Sequence, residues 1–354
     1  MSKFLNKNFQ RLVPYKPGEQ PRDRRYIKLN TNESPFPPSD KVLQAIGAEE
    51  ISNLRLYSDS QCSLLSEKLA NLYGISTDQI FFSNGSDDIL NFAFMAFSGE
   101  GICACFPDIT YGFYKVFANL NNTEYVEIPL QDNFSINHRD YCNINKFIVI
   151  ANPNAPTGLS LTIPEIEEIV RSNPNNVVVI DEAYVDFGST SCYPLITSYK
   201  NLLVVQTFSK SRSMAGARLG FAIGSPELIN DLNTIKFSTN PYNVNSLTLA
   251  LGQATLDSNE YYLKNCRLIA DIRDNTTKVI ESLGFNVIPS KANFIFTNHP
   301  NFSGKFLYEK LKEKGILVRH FDLPRISSYI RITIGTQSEM DFLLEQLKNI
   351  LNYD

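Results

Sequence analysis

A chain of 354 residues that is 43% hydrophobic and 20% charged, with a formal net charge of −4, has the composition of a globular protein long enough for two lobes. That balance offers no basic surface for nucleic acid or an acidic membrane, and no apolar run nears the ~20 residues of a membrane span. Six cysteines without CxxC spacing and three histidines assemble no metal set, so we read the thiols as reduced.

The amino terminus, MSKFLNKNFQ, lacks the apolar stretch of a signal peptide, which fits a cytoplasmic enzyme. The proline- and arginine-rich segment that follows, PYKPGEQPRDRRYIK, reads as an irregular arm, with Arg22, Arg24 and Arg25 as a solvated face. From about residue 80 to 225, strand-like and helix-like runs alternate: QIFFS, DDILNFAFMAF, GICACF, EYVEIPL, KFIVIAN, TIPEIEEIVRS, NVVVIDEA, NLLVVQTF and GFAIG. That order marks an α/β layer on a mainly parallel sheet flanked by helices. Thr162 with Glu165 forms a capping box, and Ser225 caps a helix that opens on Pro226. Beyond residue 255 the pattern becomes a long polar helix, then FNVIP, NFIFT, ILVRH and YIRITIG, and a last helix with Met340, Leu343, Leu347 and Ile350 on one face. We divide the chain into an arm at 1–34, a large lobe at 35–255 and a small α+β lobe at 256–354.

In a parallel α/β sheet, ligands lie beyond the carboxyl ends of the strands. Those ends are polar here: NPNAPTG after FIVIAN, DEAY after VVVI, SK after LLVVQTF, and SNGSDD after QIFF. Asp181, ending an aliphatic strand, is a buried carboxylate that needs a cationic or donating partner; a protonated ring nitrogen serves, and so does an arginine or a turn. Lys210 alone reads as readily as a solvated charge. At a strand end near Arg218, it also has the setting of an amine nucleophile toward a carbonyl. Arg218 offers a planar fork for a phosphate, and the turn before Ser86 offers backbone N–H groups at a helix start. An aldehyde for Lys210, a ring nitrogen for Asp181, a phenolic oxygen for Tyr184 or a nearby asparagine, and a phosphate for Arg218, Ser209 and the Ser86 turn describe pyridoxal phosphate.

The chain resembles the fold type I pyridoxal-phosphate aminotransferases, and within them the branch that acts on histidinol phosphate. The resemblance covers nearly the whole sequence. It is carried by KLNTNESPF (28 to 36), LYSD (56 to 59), SNGSDD (83 to 88), TYGFY (110 to 114), NPNAPTG (152 to 158), DEAYVDF (181 to 187), TFSKSRSMAGARLG (207 to 220), PYNVN (241 to 245), VRH and YIRITIG. It implies that Lys210 holds the cofactor covalently and carries the proton, that Asp181 pairs with the ring nitrogen, that Tyr111 stacks on the ring and that Tyr184 bonds the phenolic oxygen. It assigns the phosphate to Arg218, Ser209, Thr207 and the Ser86–Asp87 backbone, with Tyr57 reaching in from the second subunit of a homodimer. The arm, packing with the small lobe, closes the substrate end with Tyr15 and Asn32, joined by Arg319 and Arg331, whose guanidinium forks suit both a phosphate monoester and the carboxylates of glutamate or 2-oxoglutarate. Two positions depart from the family pattern. Ala155 stands where an asparagine contacts the phenolic oxygen, leaving Asn154, one residue earlier, or Tyr184 alone for that task; Ser58 replaces a proline after Tyr57. A threonine-phosphate decarboxylase and an aromatic amino-acid aminotransferase are the alternatives on this scaffold. NESPF and PYNVN argue against the decarboxylase.

Overall fold

The structure, a computed structural model, describes residues 2–10, 12–15 and 17–351. Its strands are β1 (Ile27–Lys28), β2 (Ile80–Ser83), β3 (Ala104–Pro107), β4 (Tyr125–Ile128), β5 (Phe147–Ala151), β6 (Val178–Asp181), β7 (Leu202–Thr207), β8 (Gly220–Gly224), β9 (Asn286–Ile288), β10 (Phe294–Asn298), β11 (Ile316–Leu317), β12 (Arg319–His320) and β13 (Tyr329–Thr333). Seven of them form one sheet in the order β2-β8-β7-β6-β5-β3-β4.

The central strands β5, β6 and β7 are buried along their whole length, because helices cover both faces, and that is why they read as continuous aliphatic runs. One face packs on Leu65, Leu69, Ile166, Ile169 and Val170, the other on Ile89, Phe94, Phe117 and Leu232. The covering helices begin as their sequences require. Thr162 and Glu165 make the capping box of helix Ile163–Ser172, and the Ser225 hydroxyl accepts from Leu228 N at the start of Pro226–Thr239.

All pairings among β3, β4, β5, β6 and β7 are parallel, whereas β8 runs antiparallel to both β7 and β2. The segment joining β7 to β8 contains one 3₁₀ turn and no crossover helix, so the chain must return antiparallel. The consequence is positional. Ser83 and Thr207 both lie opposite Gly220, and Asp181 lies opposite Ala151 and Val205. The carboxyl ends of β2, β5, β6 and β7 and the start of β8 therefore meet on one edge.

A second sheet, β12-β13-β10-β9, is antiparallel and packs on helices Asn259–Ser282, Gly304–Glu313 and Gln337–Leu351. Met340, Leu343, Leu347 and Ile350 are buried in that core. The amino-terminal segment joins the same body: β1 pairs in parallel with β11, and Leu29 sits in its core. Arg22, Arg24 and Arg25 are exposed, and Arg24 donates to the Lys312 and Glu313 carbonyls at the end of helix Gly304–Glu313, where the helix dipole favours a cation. All six cysteines are unpaired. No helix among the described residues is long and apolar enough to cross a membrane.

Candidate active site

The shared edge of the sheet encloses a pocket lined by Ser86, Asp87, Tyr111, Ala151, Ala155, Asp181, Ala183, Tyr184, Thr207, Ser209, Lys210 and Arg218. Nine of the residues singled out in the sequence meet there: Ser86, Asp87, Tyr111, Asp181, Tyr184, Thr207, Ser209, Lys210 and Arg218.

One end of the pocket is built for an anion. Helix Ser86–Phe97 opens immediately after Gly85, whose φ is 90°, so its first N–H groups face the pocket mouth. A Cβ on Gly85 would stand 2.7 Å from Arg218 Nη2, and one on Gly220 would stand 2.5 Å from Ser86 N. Both positions need glycine for the two backbones and the guanidinium to converge. Arg218 Nη2 donates to Asp87 Oδ2 at 2.9 Å and the Tyr111 hydroxyl donates to Asp87 Oδ1 at 2.6 Å. The Asp87 side chain thus fixes the arginine and the tyrosine together.

The other end holds a buried acid, Asp181, and the half-buried amine of Lys210. Asp181 accepts from the Tyr114 hydroxyl at 2.7 Å and from Ala183 N at 3.2 Å. Burial pushes its carboxyl up to about 6, against the pull of those two donors. Lys210 Nζ donates to the Thr31 carbonyl at 3.0 Å. Burial, reinforced by the Arg331 guanidinium, brings its amine down to about 8. Tyr114 escaped the sequence reading although it lies within TYGFY. It stands in the first turn of helix Phe113–Leu120, three residues after Tyr111, where it would pass in sequence for an ordinary core tyrosine. The Thr31 carbonyl had no signal, since any residue supplies one.

The remaining candidates separate. Asn154 does not line the pocket. Its Nδ2 donates to Ile109 O (3.0 Å) and Thr157 Oγ1 (3.1 Å), and its Oδ1 accepts from Thr110 Oγ1 (2.7 Å). Its amide is thus committed to holding the loop, and Ala155, with no polar side-chain group, lines the pocket instead. Of the two alternatives the sequence offers for the phenolic oxygen, Asn154 and Tyr184, it is Tyr184 that lines the pocket. Asn32 is 1% exposed and donates to the Tyr184 hydroxyl oxygen at 2.9 Å, so its side chain serves the tyrosine. Tyr15 stacks on Phe113 with centroids 4.3 Å apart and lies 6.3 Å from Tyr111. Arg319 and Arg331 are direct partners across β12 and β13. Arg331 is half-buried, donates to Asn30 O at 3.0 Å and lies over Phe294, while Arg319 reaches Pro17 O at 3.4 Å. Tyr57 is 83% exposed and stacks on Tyr242 at 4.4 Å, apart from this pocket.

A family model described as aminotransferase class I and II matches residues 24–347. The chain belongs to that family. It is 50% identical over 352 residues to the histidinol-phosphate aminotransferase of Brachyspira hyodysenteriae, covering 99% of both chains. To that of Clostridium beijerinckii it is 47% identical, covering 99% of this chain and 98% of the other. These relatives set it in the histidinol-phosphate aminotransferase branch. Among solved structures, the histidinol-phosphate aminotransferase of Sinorhizobium meliloti, in complex with pyridoxal-5'-phosphate, matches with a TM-score of 0.88 at 22% identity over 99% of this chain and 98% of that one. At that identity the likeness is one of fold: the fold type I architecture, a larger α/β sheet with a smaller α+β body.

Proposed function

We propose that the chain transfers an amino group from L-histidinol phosphate to 2-oxoglutarate, giving imidazole acetol phosphate and L-glutamate, the transamination of histidine biosynthesis, with pyridoxal 5'-phosphate in the Lys210 pocket. The observation that carries this reading is the convergence of Lys210, Asp181, Tyr111 and Arg218 on one pocket, in a chain whose relatives at about half identity share that named activity. The residues fit the cofactor by their own chemistry. The glycine-lined cradle at Gly85 and Arg218 suits a phosphate, the buried Asp181 suits a ring N–H, the Tyr111 ring suits a planar aromatic, and the Lys210 amine, brought down to about 8, suits an aldehyde. Bound there, pyridoxal phosphate supplies an aldehyde and an electron-withdrawing ring.

The chain's own groups do the rest. Arg218, Ser209, Thr207 and the amino end of helix Ser86–Phe97 hold the phosphate. Asp181, held by Tyr114, would accept from the ring nitrogen and favour its protonated form. Lys210, with its amine near 8, would lift the proton from the amino-bearing substrate carbon and carry it onward, at a pH where an ordinary lysine stays protonated. Arg331 and Arg319, side by side on β12 and β13, receive the anionic end of either substrate, and Tyr15 covers the Tyr111 side.

The chain works as a homodimer in this reading. Tyr57, stacked on Tyr242, and the exposed Ile51, Leu54 and Leu56 form an apolar face suited to a second copy, with Tyr57 free to reach toward the partner's phosphate. Six unpaired cysteines suit a cytoplasmic setting. Titrating the cofactor-loaded protein with histidinol phosphate should bleach its visible band, and 2-oxoglutarate should restore it. No response, or carbon dioxide release from threonine phosphate instead, contradicts the proposal.

A further inference from the structure

The Tyr184 ring meets Phe294 edge-on, with centroids 5.3 Å apart, and its oxygen accepts a hydrogen bond from Asn32 Nδ2 at 2.9 Å. The C-terminal strands fix Asn32 in turn. Its main-chain N–H donates to Thr333 Oγ1 at 2.9 Å, the Thr333 hydroxyl donates back to Asn32 Oδ1 at 3.0 Å, and Asn293 Nδ2 donates to the Asn32 carbonyl at 3.0 Å. The residue is held at φ 57°, a left-handed conformation that asparagine tolerates better than most side chains.

These bonds give the amide a direction. Turned over, its Nδ2 would face a threonine oxygen already accepting from the Asn32 N–H, and the Thr333 proton would lose its acceptor. With the amide donating to the Tyr184 oxygen, the tyrosine's own proton cannot be given to Asn32. It is left for the pocket, which Asp181 on β6, Asp87 and Tyr111 on the helical side, Lys210 after β7 and Arg331 on β13 also face. Ala155, which also lines that wall, has no polar side-chain group to offer.

We propose that Asn32 is a positioning residue for Tyr184, donating to the phenol oxygen so that the tyrosine proton points into the pocket at the anionic ring oxygen of the cofactor. It thereby supplies indirectly what Ala155 cannot. This rests on the reading above that Tyr184 serves that ring oxygen.

The test is the pH midpoint of the visible band of the cofactor-loaded protein, read for Tyr184→Phe, Asn32→Gly and the double variant. Glycine keeps the left-handed backbone and removes only the amide. A proton donor to the ring oxygen stabilises the anionic form, so losing it moves the midpoint upward. Tyr184→Phe should raise it by about one pH unit, Asn32→Gly should raise it by at least half as much, and the double variant should go no further than Tyr184→Phe. If Tyr184→Phe shifts the midpoint and Asn32→Gly does not, or if the two shifts add in full, the role of Asn32 is overturned while that of the tyrosine stands. If Tyr184→Phe leaves the midpoint unmoved, the reading of the tyrosine fails and this proposal with it. Should Asn32→Gly not load cofactor, Thr333→Val, which frees the amide to turn, takes its place with the same expected direction, and an unmoved midpoint overturns the proposal.

Discussion

Lys210 is half-buried against the amino-terminal segment, where its amine donates to the Thr31 carbonyl, and desolvation sets that amine near 8. In protein freed of cofactor, the amine is therefore mostly charged at pH 6.5 and mostly neutral at pH 9, and only the neutral form attacks an aldehyde. The rate at which added pyridoxal phosphate develops a visible band should climb about tenfold per pH unit below 8 and level off above it. A flat profile between pH 6 and 9 contradicts this. Lys210→Ala should keep the fold and the phosphate anchor while turnover falls by about 10⁴ or more; steady-state rates and retention of cofactor on gel filtration separate the two. Tyr114→Phe removes the shortest donor to Asp181. A hydrogen bond to a charged group is worth roughly 1.5–3 kcal/mol, so kcat should drop about 10- to 100-fold with KM little changed. Unaltered kcat would mean that the aspartate does not depend on that hydroxyl.

At the scale of elements, the start of helix Ser86–Phe97 is the most constrained joint of the site. Gly85→Ala would put a methyl against Arg218 at a φ of 90°, costing about 1–3 kcal/mol of local strain. Cofactor affinity should fall at least tenfold, as equilibrium dialysis would show; unchanged affinity would remove this turn from the phosphate site. These elements were legible to different degrees. Strands β5, β6 and β7 declared themselves because burial on both faces leaves an uninterrupted aliphatic run. Strand β1, two residues long, carries no periodicity and exists only because β11 pairs with it. Asn154 and Ala155 mark the limit more sharply. Both belong to NPNAPTG, yet the bonds to Ile109, Thr110 and Thr157 decide which one faces inward, and those partners are distant or chemically ordinary. Arg218, Asp181 and Lys210 were legible because each stands at a strand end, where the chain order alone places it.

At the scale of the whole molecule, Arg325 ties the two sheets' bodies together. It pairs with Asp108 at 3.1 Å and donates to the Leu130 and Gln131 carbonyls at 3.0 and 2.9 Å, beside a small apolar cluster of Ile109, Phe134, Phe296 and Ile326. Its partly exposed ion pair is worth little alone, so Arg325→Ala should raise KM for the amino donor by about 3- to 10-fold and leave the melting temperature nearly unchanged. A large loss of kcat with constant KM would place the residue in the chemistry instead. The site's reach across the chain follows the same logic: residues from the amino-terminal segment, the seven-stranded sheet and the four-stranded sheet enclose one amine. Borohydride reduction of the cofactor-loaded protein followed by peptide mapping tests that amine directly. The account predicts a single pyridoxyl adduct on Lys210; an adduct on another residue, or none, would contradict it.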